Sequence, residues 1–103
     1  MNPDKAELTD EAIQCGVPEH IISGIVDYIV NGCPPGDFLM MFLENNLMGA
    51  SGCADSINIR HFLEISTFLY SYAPLTCWGS PEKVRAWMES RRSQETKAEG
   101  GPL

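Results

Sequence analysis

The stretch Y70-S-Y-A-P-L-T-C-W-G-S-P-E-K-V-R-A-W-M-E89 decides the architecture, because one short connection holds both the end of one helix and the start of the next. Pro74 lacks a backbone N–H and stops the helix before it, and Gly79 frees the backbone to turn. Ser80 is a good N-cap, Pro81 a good first helical residue, and Glu82 suits the positive end of the helix dipole. Val84, Trp87 and Met88 then form an apolar stripe, and Arg91 and Arg92 complement the C-terminal end, which predicts a helix over 81–92. Leu75, Cys77 and Trp78 are left to fill the corner between the two helices. Trp78 carries a large apolar ring and one N–H, so it reads as a corner plug or as the edge of a binding surface.

Working towards the N-terminus, residues 56–73 predict a helix with Ile59, Phe62, Leu63, Phe68, Leu69 and Tyr72 inward and Asn58, Arg60, Glu64 and Ser71 outward. Before it, Gly49-Ala50-Ser51-Gly52-Cys53 has the glycine and serine of a linker. It lacks the Lys and Ser/Thr of a phosphate-binding loop, and Asp55 beyond it would repel an anion. The segment 36–48 predicts another helix, started by Gly36 or Asp37 after Pro34-Pro35. Its run from Phe38 to Leu43 is apolar on every face, because six successive helical positions pass beyond a full turn. Such a helix is either central in the fold, and the most buried, or shares a face with a second chain. A first helix over 18–31 opens with Pro18 and Glu19, repeats Ile21, Ile22, Ile25, Val26, Ile29 and Val30 at helical spacing, and ends at Gly32. The expected fold is all-α: one domain over 18–92 built as a compact bundle of four main helices. Residues 1–17 are expected to be a polar lead and 93–103 a disordered tail.

Composition narrows the chemistry. The chain has 103 residues and a formal charge of −7, distributed unevenly. Residues 1–80 hold ten carboxylates against Lys5 and Arg60, a net of −8, whereas residues 81–103 hold five basic and four acidic groups. An acidic body repels phosphate backbones, so direct nucleic-acid binding is not expected, and a basic or nucleic-acid-binding protein is the complementary partner. No apolar run is long enough to span a bilayer and the first twelve residues are polar, so no membrane association is expected and the location is read as cytoplasmic.

Cys15, Cys33, Cys53 and Cys77 are too evenly spaced for a zinc site, and neither they nor His20 and His61 form a close ligand pair, so reduced packing cysteines and no metal or cofactor are expected. Cys77 with His20 or His61 would be a minimal thiol nucleophile and base, but nothing in the spacing selects such a pair. Asp37, Glu44, Asp55 and Glu64 read as caps and solvated faces. No catalytic set emerges, and the protein is expected not to be an enzyme. The candidate interaction surface joins Phe38, Met41 and Trp78 to the carboxylates Asp27, Asp37 and Glu44, with a homodimer through the apolar run as one expected use. An alternative reading is a small-ligand binder holding a nucleotide messenger in a cleft or dimer interface, with Arg60, Lys83, Arg85 and Trp78 as contacts.

Two motifs carry a resemblance. Gly32, Pro34, Pro35, Gly36, Phe38 and Leu39 fit a Gly-x-Pro-Pro-Gly-x-Phe-Leu element. Tyr70, Ala73, Pro74, Cys77, Trp78, Gly79, Ser80, Pro81 and Glu82 fit a Tyr-x-x-Ala-Pro-x-x-Cys-Trp-Gly-Ser-Pro-Glu element. Together they resemble a family of small proteins encoded in phage and prophage genomes, over residues from about 17 to 92, with both ends departing from it. The resemblance implies a phage origin and the host cytoplasm as location. It also implies a non-catalytic accessory role in which a host protein, such as an antiviral-defence component, is bound and inhibited or redirected. It brings no catalytic or ligand residues with it.

Overall fold

The computed structural model describes residues 4–100, with side-chain surroundings for residues 4–91. Among these residues there are helices and no strand: α1 (Lys5–Cys15), α2 (Glu19–Asn31), α3 (Asp37–Leu43), α4 (Leu47–Cys53), α5 (Ser56–Arg60), α6 (Phe62–Tyr72), a 3-10 turn over Leu75–Cys77, and α7 (Pro81–Gly100). None of the helices is long and apolar enough to cross a membrane.

The all-α expectation holds, but the helices are more numerous and shorter than the four expected. The first correction is at the start of the chain, where the polar lead of 1–17 is largely helix. Asp4 caps α1 by accepting from the Ala6 N–H at 3.4 Å, and Gly16, at φ 90°, closes it by donating to the Ala12 and Ile13 carbonyls. Only Leu8 and Ala12 of this helix are buried, an i, i+4 pair that covers one side of the core. Residues 1–3 of the lead lie outside the described residues.

The expected helix over 36–48 is two helices. α3 stops at Leu43, Asn45 takes a left-handed φ of 66°, and the Asn46 side chain restarts the chain by accepting from the Gly49 N–H at 2.9 Å. Asparagine tolerates the left-handed region and caps well, so the pair breaks a helix without Gly or Pro. The following Gly49-Ala50-Ser51-Gly52-Cys53 is therefore inside α4 and is not a linker. The expected helix over 56–73 also splits, at His61, where φ −119° and ψ 24° interrupt the spiral. Asp55 caps α5 by accepting from the Ile57 and Asn58 N–H groups at 3.0 and 2.7 Å. The inward face also differs from the expectation: Asn58, expected outside, is buried, while Ile59 and Leu63, expected inside, are exposed, as is Tyr72. Leu63 is two residues, about 200° of helix, from the buried Ile65, so it lies on the opposite face of α6.

α2 is the central element, in place of the 36–48 helix expected to be most buried. Ile25, Val26, Tyr28 and Ile29 are fully enclosed, and α1 and α7 pack on its sides. α1 also packs on α6, and α3 is paired with α4. α7 is docked by its own side chains: the Trp87 Nε1–H donates to the Tyr28 carbonyl at 3.1 Å, and Arg91 Nε and Nη2 both donate to the Val30 carbonyl at 3.0 and 2.8 Å. The Arg91 guanidinium also lies 5.1 Å from the centre of the Trp87 ring. The disordered tail expected over 93–103 is helical backbone as far as Gly100, and residues 101–103 lie outside the described residues. No Gly or Pro interrupts 93–99, and Gln, Glu, Lys and Ala in that stretch are favourable helix formers.

The corner quoted at the outset is a packed junction. The Tyr28 hydroxyl donates to the Cys77 carbonyl at 2.6 Å, the Gly79 N–H donates to the Leu43 carbonyl at 2.8 Å, and the Lys83 N–H donates to Ser80 Oγ at 3.2 Å. These bonds tie the ends of α2, α3 and α7 to one turn. Burial pushes the Cys77 thiol up to about 12, and burial also raises the Tyr28 phenol above its ordinary range. Both groups ionise in the unfolded chain at lower pH than in the folded protein. Their contribution is complete below their unfolded pKa values and is lost as pH rises towards the folded ones. Thermal unfolding followed by circular dichroism is expected to show a constant midpoint from pH 6 to 8 and a steady fall between pH 9 and 11. The fall is shallower in a Cys77→Ala variant.

Candidate functional site

The α3–α4 corner, α6 and the turn carrying Trp78 frame an uncovered apolar groove. α3 ends under Phe42 and Leu43, α4 begins at Leu47, and α6 runs past both. One cavity of about 250 Å³ is lined by Phe42, Leu43, Asn45, Ser66, Leu69, Tyr70 and Trp78. A second of about 350 Å³ is lined by Phe42, Asn45, Leu47, Phe62, Leu63 and Ser66. They share Phe42, Asn45 and Ser66, so they form two lobes of one groove along α6. Its floor is aromatic. The rings of Phe42 and Phe62 meet edge-on with centroids 5.2 Å apart, and Phe38 packs on both at 5.7 and 5.6 Å. Its rim is apolar and exposed: Leu63 is 75 %, Tyr70 74 % and Leu47 61 % accessible to solvent.

No charged side chain lines either lobe. The polar groups are few. The Ser66 hydroxyl is already used, donating to the Phe62 carbonyl at 2.8 Å. Trp78 Nε1 is shielded from solvent and has no hydrogen-bond partner among the described residues, and the Trp78 ring lies 6.4 Å from that of Tyr70.

The residues singled out from the sequence are distributed as follows. Trp78 lines the groove. Phe38 is buried beneath it, and Met41 is half-buried against the core, where its Sδ accepts from the Cys53 thiol at 3.9 Å. The apolar run from Phe38 to Leu43 is thus covered largely from within the chain. Asp27 lies elsewhere, paired with Lys5 Nζ at 2.6 Å across the α1–α2 contact. Asp37 is exposed in the first turn of α3, and Glu44 is its half-buried C-cap. Arg60 is exposed at the end of α5, and Lys83 and Arg85 are exposed near the start of α7; none of the three lines the cavity beside Trp78. The Lys83 side chain lies over Gly79.

His20 Nε2 and Asp55 Oδ2 are 3.0 Å apart, linking α2 to the cap of α5. The backbone N–H of Asn58, then the His20 contact, hold the Asp55 carboxyl below its ordinary value. Cys77, enclosed and with its thiol pushed up, is the opposite of an activated nucleophile, whose pKa must fall. The four cysteines are unpaired, and no cluster of three or more His, Cys, Asp or Glu among the described residues is placed to hold a metal ion.

Sequence reasoning missed Leu47, Leu63, Asn45 and Ser66 as groove residues. The signal that could have found them is the Asn45-Asn46 pair, which marks a break where propensity alone continues the helix. Compared with protein-family models, with curated proteins and with solved structures, the chain matches none.

Proposed function

We propose that the protein is a non-catalytic binding module that takes hold of another protein through the groove between the α3–α4 corner and α6. The observation that carries this reading is an uncharged, aromatic-floored groove with exposed Leu47, Leu63 and Tyr70 on its rim, set in a body that is −8 over its first eighty residues. Uncovered contiguous apolar surface of this kind marks interaction sites. Binding is driven at the groove, and the acidic surroundings favour a basic, nucleic-acid-binding partner. Joined to the two motifs that resemble phage-encoded proteins, this gives the full proposal: an accessory protein that binds a host protein in the cytoplasm, such as an antiviral-defence component, and inhibits or redirects it.

The nucleotide alternative has less support, since a phosphate in the Trp78 lobe meets no basic side chain in its lining. The test is affinity capture from host lysate with the wild-type chain and with a Leu63→Gln/Tyr70→Gln double variant, read by mass spectrometry for proteins and small molecules. Both positions are exposed, so the variant keeps the fold, checked by its helical circular dichroism and melting midpoint. A host protein held by wild type and reduced at least tenfold with the variant is the expected result. A co-purifying nucleotide with no protein would replace this reading.

A further inference from the structure

Resting on the reading of the chain as a protein-binding module, we propose that the groove's occupant is a basic amphipathic α-helix of the partner, laid along α6 with one apolar side chain in each lobe. The spacing fits. The lobes run from Leu63 to Tyr70, and seven residues of α6 span roughly 10 Å at 1.5 Å per residue. Side chains at i and i+7 of an incoming helix are separated by the same distance, with i+3 or i+4 falling over the shared Phe42–Ser66 saddle.

The backbone argument favours a helix over an extended occupant. A strand laid into the groove would bury N–H and C=O groups, and the lining offers them little: Ser66 Oγ–H is committed to the Phe62 carbonyl, Asn45 is a single amide, and no sheet edge exists among the described residues. A helix brings its backbone already paired and needs only apolar contact. The charge argument selects its other face. The lining itself is uncharged and the chain as a whole carries −7, so an acidic helix, or a second copy of this chain, approaches against like charge, whereas Lys and Arg flanking the apolar stripe are attracted.

The probe is a fluorescein-labelled 18-residue peptide of Leu and Lys with Leu at i, i+3, i+4 and i+7. It is compared with an isomer of the same composition whose Leu residues do not share a helical face. The Lys-Leu peptide is expected to bind by fluorescence anisotropy at least tenfold more tightly than the isomer. The Leu63→Gln/Tyr70→Gln variant, which changes no charge, is expected to lose that advantage, and Ile13→Gln, on the exposed face of α1, to keep it. In a ¹⁵N-labelled sample the indole N–H resonance of Trp78 moves on binding, while that of Trp87, bonded to the Tyr28 carbonyl, stays.

Equal binding of the two peptides, or full binding by the groove variant, reduces the attraction to charge alone and overturns the proposal. Sedimentation showing a dimer that the groove variant converts to monomer also overturns it, by making a second copy the occupant. If the peptide result fails while the double variant still releases a captured host protein, the binding module stands and only the helical occupant falls.

Discussion

Phe68→Ala is expected to lower the unfolding free energy by about 3–5 kcal/mol, the range for deleting a buried phenylalanine ring. Phe68 is fully enclosed on α6, in contact with the Tyr72 ring at 6.0 Å, and it faces the core shared with α1 and α2. Its loss leaves a cavity that short helices fixed at both ends by Asp55, His61 and Pro74 cannot close by sliding. For a domain of this size that corresponds to a drop in melting midpoint of roughly 15–30 °C, measured by calorimetry. The consequence reaches the groove, because α6 supplies its long wall, so the variant is also expected to bind the Lys-Leu peptide weakly near its lowered midpoint. A loss below about 1 kcal/mol would mean that α6 does not pack as described.

The second large effect is a single methyl group at Gly32. This residue ends α2 at φ 71°, a conformation that costs an L-residue about 1–2 kcal/mol. A Cβ there would stand 2.7 Å from Arg91 Cβ and 3.1 Å from the Met88 carbonyl oxygen. α7 therefore has to move off the end of α2, which disturbs the Arg91 bonds to the Val30 carbonyl. Gly32→Ala is expected to cost about 2–4 kcal/mol in urea unfolding, the strain and the overpacking adding. Gly52→Ala provides the contrast. Gly52 lies inside α4 with open space around its Cβ position, and alanine is the better helix former, so the same substitution is expected to stabilise by about 0.5–1 kcal/mol. Equal effects at the two sites would contradict the account of the α2–α7 contact.

Helix starts and stops written in proline, glycine and serine were legible in the sequence. Pro18 and Gly32 bound α2, Ser80 and Pro81 start α7, and Pro74 stops α6, all close to expectation. What was not legible is set by weaker chemistry. The breaks at Asn45-Asn46 and at His61 contain no proline or glycine, and α1 hides because a helix that buries only Leu8 and Ala12 has little periodic signal. The groove was not legible either. Leu63 was assigned to the wrong face of its helix: it lies about 200° round α6 from the buried Ile65 and stands in solvent beside Leu47. Trp78 was read as either plug or binding edge; it packs against the core at the corner and lines one lobe of the groove. The acidic residues Asp27 and Asp37 were chosen by charge alone, and Asp27 is occupied by Lys5.

The claim that the groove is the working surface is tested most directly by hydrogen–deuterium exchange of the protein alone and bound to the host protein it captures. Slowed exchange concentrated in residues 42–47 and 62–70, with little change in α1, is the predicted result. Protection confined to α1 and the outer face of α2, with 62–70 unchanged, would contradict it.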